Sequence, residues 1–366
     1  MKVCYITNVA VPGVEAQSFQ VTAMSEAFFS VLGKDFLLIS RKMKECPAVA
    51  PPFQWVRLPA PGRLPRSVRY ILCFFQSLPH VVRFRPSVIM TRDIFFATAY
   101  RLLGFRVVYD MHKRFLTRIG DVLFRLIAKK LLITTVSESL QNYIASTYAI
   151  PKEKICLARN GVFLERFDAI DRVDARRQLT GRVPLLKDKK IILYSGTMSE
   201  GKGLDDITAM AERKKDVFFV IVGALHISTA GVVPSNVICL GHQEHQDVPL
   251  FLKAADVLLL PYSRSLGIWQ THSALKMFEY MASGTPIVAS RLGAICEMLN
   301  ESNAFLFEPE SLESFEETLS YALEHTEEAS QKAIQAYDDI HEFTWEKRVR
   351  RVLEYIKVSQ ESRSSR

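Results

Sequence analysis

Two short segments in the second half of the chain carry residues suited to holding an anion. The first is Tyr194-Ser195-Gly196-Thr197-Met198-Ser199-Glu200-Gly201-Lys202-Gly203-Leu204. It follows an apolar run, turns on small residues, and offers backbone N–H groups with Lys202 beside them, a combination that suits a pyrophosphate. It is not a Walker A loop, because Gly203 stands where that pattern needs Ser or Thr. A plain strand-to-helix connection fits the same residues equally well. The second segment runs from Leu275 through Ser290. Its spacing predicts a helix from about Ser273, closed by Gly284, and then a buried strand opened by Pro286. Lys276 and Glu279, three apart, share a helix face. A lysine near a helix N-terminus suits a phosphate, and a carboxylate one turn on can accept from ribose hydroxyls. An ordinary surface ion pair has the same spacing.

The elements that must position these residues are legible in the apolar runs. In the first half, Val3–Thr7, Phe36–Ser40, Val88–Thr91, Val107–Asp110 and Leu132–Val136 have strand length. Between them lie helix-compatible stretches, such as Phe19 to Leu32 ending at Gly33. That alternation predicts a parallel sheet covered by helices on both faces. A charge-rich stretch from Asp168 to Lys190 reads as the linker. The alternation then restarts with Ile191–Ser195, Val217–Val222, Val237–Leu240, Val257–Leu260 and Pro286–Ser290. The expected organisation is two Rossmann-like, doubly wound α/β domains facing across a cleft. They cover residues 1–170 and 171–345, and a C-terminal helix or tail over 346–366 packs back on the first. Ligands in such sheets sit beyond the carboxyl ends of the strands.

Composition narrows the classes. The chain has 366 residues, 48% hydrophobic and 23% charged, an ordinary folded composition. Its net charge of +8 is unevenly spread. Through residue 180, 27 Lys and Arg face 13 Asp and Glu, a net +14; the remaining 20 against 26 give −6. A basic first half implies an anionic surface or ligand. Two stretches carry that charge among aromatic and aliphatic residues. One holds Arg57, Arg63, Arg66, Arg69, Arg83 and Arg85, and the other runs from Lys113 and Arg114 through Arg118 and Arg125 to Lys130. Both suit anionic lipid headgroups, and both also suit a solvated helix face. The six cysteines form no C-x-x-C pair, so neither zinc nor a disulfide framework is indicated. The N-terminus makes a poor signal peptide and a good first strand.

Taken in order, the motifs resemble the retaining glycosyltransferases of family 4, which have the GT-B fold. Val136-Ser137-Glu138-Ser139-Leu140, Pro151 to Ile155 and Asn160-Gly161 through Phe167 are similar to the passage closing that family's first domain. Ser195 to Gly203 resembles its phosphate loop, and Leu240-Gly241 with Ala255-Asp256-Val257 and Leu260-Pro261-Tyr262 its next conserved region. Lys276 to Ser290 resembles its core signature, and Gly293 to Glu297 the turn that follows. The resemblance implies that Lys202 binds and stabilises a leaving diphosphate and that Glu279 holds the donor ribose, with Lys276 nearby. It places Gly13, Gly196 and Thr197 near the donor phosphates and sugar. His112, after Tyr109-Asp110-Met111, stands where the family has a histidine projecting from its first domain. The pattern departs in three places. A single glycine, Gly13, replaces a pair. Thr197 stands where an arginine often follows Gly196, and Thr271 occupies the position of the first of two glutamates. His272 and Ser273 are the candidates to take over that glutamate's contacts.

The implied reaction transfers a sugar from a UDP- or GDP-sugar to a hydroxyl of a lipid-linked saccharide, with retention, in cell-surface polysaccharide or glycolipid synthesis. His112, Lys202 and Glu279 are the expected catalytic residues. No Asp-x-Asp motif occurs in the chain, so metal-independent catalysis without a cofactor is expected. The expected place is the cytoplasm, against the inner face of the cytoplasmic membrane. A nucleotide-sugar epimerase on the same fold and a nucleic-acid-binding protein are the competing readings. No RRM, KH or zinc pattern supports the latter, and no nucleic-acid partner is expected.

Overall fold

A computed structural model describes residues 1–11, 13, 15–42, 51–59, 63–115, 117–223 and 233–364, without the side chains of residues 66 and 362–364. Two compact units result, Met1–Arg159 with Trp345–Arg366 and Asn160–Thr344.

In the first unit the strands are β1 (Val3–Val11), β2 (Phe36–Lys42), β3 (Gln54–Leu58), β4 (Val88–Thr91), β5 (Val107–Met111), β6 (Leu132–Thr135) and β7 (Ile155–Leu157). The helices are α1 (Ala16–Leu32), α2 (Arg66–Phe84), α3 (Ile94–Leu102), α4 (Arg118–Ile127) and α5 (Glu138–Tyr148). All strands are parallel, in the order β3-β2-β1-β4-β5-β6-β7. The central strands are buried on both faces, which is why they read as unbroken apolar runs. Burial of a side chain such as Phe28 or Leu38 contributes about 1.5–3 kcal/mol each. Helix α1 ends where Gly33 takes a left-handed φ of 54°.

The second unit contains α6 (Glu165–Asp168), α7 (Arg172–Arg182), β8 (Lys190–Ser195), α8 (Leu204–Arg213), β9 (Val217–Val222), β10 (Val237–Gly241) and α9 (Val248–Ala254). Then come β11 (Val257–Leu260), α10 (Leu275–Ser283), β12 (Ile287–Ser290), β13 (Phe305–Phe307), α11 (Leu312–Glu324) and α12 (Thr326–Ile340). Its parallel sheet has the order β10-β9-β8-β11-β12-β13. The order reverses between β8 and β11, so the crevice beyond their carboxyl ends is the natural ligand position.

Two expectations about organisation need correction. The stretch Asp168 to Lys190 is not a linker. It folds as α7, with the Asp171 carboxylate accepting from the N–H groups of Val173 and Asp174 as an N-cap. Ala175 and Leu179 of α7 are fully buried in the core of the second unit. The chain leaves the first unit at Arg159 rather than at residue 170, because Val162 and Phe167 belong to that same second core. The last helix, α13 (Trp345–Ser364), belongs to the first unit. Its buried Arg348 binds both oxygens of Asp110 at 2.9 and 3.0 Å.

Candidate functional site

In the second unit the site begins with α10. Tyr280 and Lys276 are four apart and so share a face. The Tyr280 hydroxyl accepts from the N–H of Ser195 at 2.8 Å, fastening α10 to the end of β8. One turn earlier, Lys276 is thereby carried over Gly196. Its Nζ lies 3.6 Å from the centre of the Tyr194 ring and 5.6 Å from that of Tyr262. That buried nitrogen has no hydrogen-bond partner among the described residues. Burial, together with the neighbouring charge of Lys202 and against that of Glu279, holds its pKa well below the usual lysine value.

The loop after β8 is shaped for close approach. Gly196 has φ 119°, Gly201 φ 75° and Gly203 φ 82°. A β-carbon on Gly203 would stand 2.1 Å from the Pro261 carbonyl oxygen, so the loop turns only with glycine there. Lys202 bends back and donates to the Thr197 carbonyl at 3.2 Å, its pKa lowered by burial. Thr197 itself is exposed. The first turn of α8 already carries Asp205 and Asp206. The first turn of α10 carries no acid, so its N-terminus is the one suited to an added negative charge.

The remaining residues singled out from sequence surround α10. It starts at Leu275 rather than Ser273 and closes at Gly284, φ 64°. Asn160 is buried and donates to the Ser273 carbonyl at 3.2 Å. The His272 ring packs against Tyr262, centroids 5.6 Å apart, and Thr271 is buried, its N–H donating to the Ile268 carbonyl. Glu279 lies on the flank of α10, where His245 Nε2 is 2.7 Å from its Oε1. The structure therefore brings Gly196, Thr197, Lys202, Thr271, His272, Ser273, Lys276 and Glu279 into one unit, around one strand end and one helix.

Gly13 and His112 belong to the first unit. Gly13 lies two residues past β1, between positions outside the described residues. His112 follows β5 and is tied on both ring nitrogens. Its Nε2 is 2.7 Å from Asp110 Oδ2, and Gln20 Nε2 is 3.0 Å from its Nδ1. Gln20 in turn accepts from Arg92 at 2.5 Å. With Asp110 ionised, Nε2–H is the donor and Nδ1 accepts from Gln20. Burial and the Arg92 charge lower the His112 pKa to about 3, against the pull of Asp110. Burial alone would raise the Asp110 pKa, but Arg348 and His112 hold it below the ordinary carboxylate range. The imidazole is a neutral, fixed group at a strand end.

Sequence reasoning passed over Tyr194 and Tyr262 as flanks of Lys276, His245 beside Glu279, and the Gln20–Arg92–Arg348 supports of His112. Of these, Tyr194 opened the first quoted segment and Tyr262 sat inside a motif, but nothing there marked either as a cation's neighbour.

Known proteins resemble this chain in sequence and in fold. The model for glycosyl transferases group 1 matches residues 176–339, and that for glycosyltransferase family 4 matches residues 33–166. The chain belongs to the GT-B glycosyltransferases of group 1 and family 4. A putative teichuronic acid biosynthesis glycosyltransferase, TuaH of Bacillus subtilis, is 28% identical over 48% of this chain and 44% of its own length. An Escherichia coli UDP-Gal:alpha-D-GlcNAc-diphosphoundecaprenol alpha-1,3-galactosyltransferase is 28% identical over 50% and 49%. The chain spans about half the length of such relatives. Among solved structures, sucrose-phosphate synthase from Thermosynechococcus elongatus has a TM-score of 0.78 at 17% identity, covering 100% of both chains. Anabaena Alr3699/HepE in complex with UDP has 0.77 at 13%, covering 98% of this chain and 100% of its own. These likenesses carry the fold: both parallel sheets are the two Rossmann-like domains of GT-B.

Proposed function

We propose that this glycosyltransferase moves a sugar from a nucleoside diphosphate sugar to a hydroxyl of a lipid-linked saccharide, with retention, in the synthesis of a cell-surface polysaccharide or glycolipid. The observation that carries the donor half is the buried Lys276 ammonium, without a hydrogen-bond partner among the described residues and beside Gly196. A buried cationic group of that kind is costly unless an anion completes it. The diphosphate supplies the anion. As the glycosidic bond breaks, negative charge builds on the departing diphosphate, and Lys202, Lys276 and the N-terminus of α10 are arranged to stabilise it. Lys276 takes the place of the arginine that Thr197 lacks. Glu279 accepts from the ribose, and His272 and Ser273 serve the sugar where Thr271 offers only a hydroxyl. No step in this reading calls for a metal or another cofactor.

The acceptor half rests on the first unit. Arg92 follows β4 and His112 follows β5, each just past the carboxyl end of its strand, and the same unit carries a basic surface. Helix α2 exposes Val68, Ile71, Phe75 and Val82, and α4 exposes Ile119, Val122 and Leu126. Exposed Arg83, Arg85, Arg118, Lys129 and Lys130 accompany them. Apolar stripes rimmed by cations suit the interface of an anionic membrane at the cytoplasmic face. Among the described residues no helix is long and apolar enough to cross a bilayer. Relatives named for teichuronic acid, colanic acid and diphosphoundecaprenol-linked sugars support the polysaccharide assignment.

A thermal-shift panel of UDP-, GDP- and ADP-sugars tests the donor assignment, since a ligand bound only by the folded state raises the melting temperature. Stabilisation by one nucleotide class is expected; no shift with any of them would refute the reading. Consumption of the donor only when an acceptor is present separates transfer from epimerisation.

A further inference from the structure

The turn after β10 brings a residue to Glu279 that no motif marks. His245 Nε2 is 2.7 Å from Glu279 Oε1, and the imidazole is the more exposed partner, 39% against 12%. The histidine thus forms the outer cover of the carboxylate. Three residues back on the same helix lies Lys276, the natural i,i+3 partner for Glu279. Lys276 is turned away, over Gly196 and Tyr194. Without His245 the carboxylate would be free to rotate about its last torsion, a broad and soft one. With Nε2–H donated to Oε1, the plane of the carboxylate is set and Oε2 is left to accept from a ligand.

We propose that His245 is the positioning residue that holds Glu279 in the orientation needed to accept the hydroxyls of the donor ribose, and so sets the preference of this site for ribonucleotides. The proposal rests on the donor reading above. It adds a residue and a specificity to it: a diol-bearing sugar is read by one carboxylate whose second oxygen is kept open by a histidine. The group that acts on the ligand is Glu279; His245 acts through it.

Calorimetric titration of the whole chain with UDP and GDP, and with their 2′- and 3′-deoxy forms, tests this, with inorganic pyrophosphate as the control. The wild type should favour a ribonucleotide over its deoxy forms. His245→Ala should weaken the ribonucleotide about tenfold, the scale of one hydrogen bond to a charged group, and should weaken the deoxy forms less. Pyrophosphate affinity should not move, which shows that the variant is folded. His245→Gln, which keeps an N–H donor, should recover most of the preference. In turnover, His245→Ala should raise KM more than it lowers kcat. If His245→Ala keeps the ribo-to-deoxy ratio within twofold while Glu279→Gln loses it, His245 has no positioning role and the proposal is overturned. If Glu279→Gln also keeps the ratio, the ribose contact itself is wrong and the proposal falls with it. If pyrophosphate and both nucleotides fail to bind the wild type, the donor reading has failed.

Discussion

A β-carbon placed on Gly196 would lie 2.7 Å from the Lys276 Nζ and 3.0 Å from its Cε. The glycine and the lysine therefore share a single space, the glycine yielding the room and the lysine filling it with a charge. Gly196 also sits at φ 119°, a conformation costly for any L side chain. Gly196→Ala should lower stability by about 1–3 kcal/mol and displace the ammonium. Urea unfolding measures the first effect. Donor titration measures the second, with a loss of affinity of about tenfold or more expected for one displaced charged contact.

Lys276 should show a trade between stability and function. Its pKa lies well below the usual 10.5 because burial and Lys202 disfavour the charge. The unfolded chain therefore binds this proton more tightly than the folded one. This contribution to stability is most favourable above pH 10.5 and is lost as pH falls towards the depressed value. Lys276→Met should raise the melting temperature near neutral pH, flatten that part of the pH profile, and weaken donor binding. Equal melting temperatures with undiminished binding would remove Lys276 from the site.

His112 gives the first unit an acid-sensitive step. Its pKa is 6.5 in an ordinary setting and about 3 in the fold. As pH falls through that window the unfolded state gains the proton first, so stability is lost, with a slope approaching about 1.4 kcal/mol per pH unit. From about pH 3.8 downward Asp110 adds its own loss, since its folded pKa is lowered under that usual value. Chemical denaturation between pH 7 and 4 should show the slope, and His112→Gln should reduce it. Arg348→Met leaves Asp110 buried without its ion-pair partner and should cost about 3–5 kcal/mol.

The basic, apolar-striped surface should be seen in vesicle flotation. Vesicles with anionic headgroups should bind the protein and zwitterionic ones should bind it less. Neutralising Arg69, Arg114 and Arg118 together with Arg66 should weaken the anionic binding, as should moderate salt. Equal binding to uncharged vesicles would contradict the electrostatic assignment.

The ten apolar runs read as strands are all strands; nine are interior strands, which must be apolar because both faces are buried, and the tenth, β10, is an edge strand with an apolar run of its own. Three others escaped notice. β3 and β13 lie at sheet edges, and β7 is three residues long at the other edge, so none needs a full apolar run. The polar surface of α7 hid a helix whose burial rests on Ala175 and Leu179. Within the candidate site, the glycines and lysines were legible through the order of the family-like motifs, since their types and spacing alone fit a plain loop and a surface ion pair as well. His245 and Glu279 were not legible as a pair. They are 34 positions apart and meet because the turn that follows β10 packs against the flank of the helix that follows β11.

Isothermal titration of a nucleoside diphosphate sugar into the wild type and into Lys202→Ala, Lys276→Met and the double variant tests the central claim most directly. Micromolar binding to the wild type, weakened by each substitution and lost in the double variant with both folds intact, is the predicted result. Undiminished binding to the folded double variant would contradict the assignment of the diphosphate to the cradle between β8 and α10.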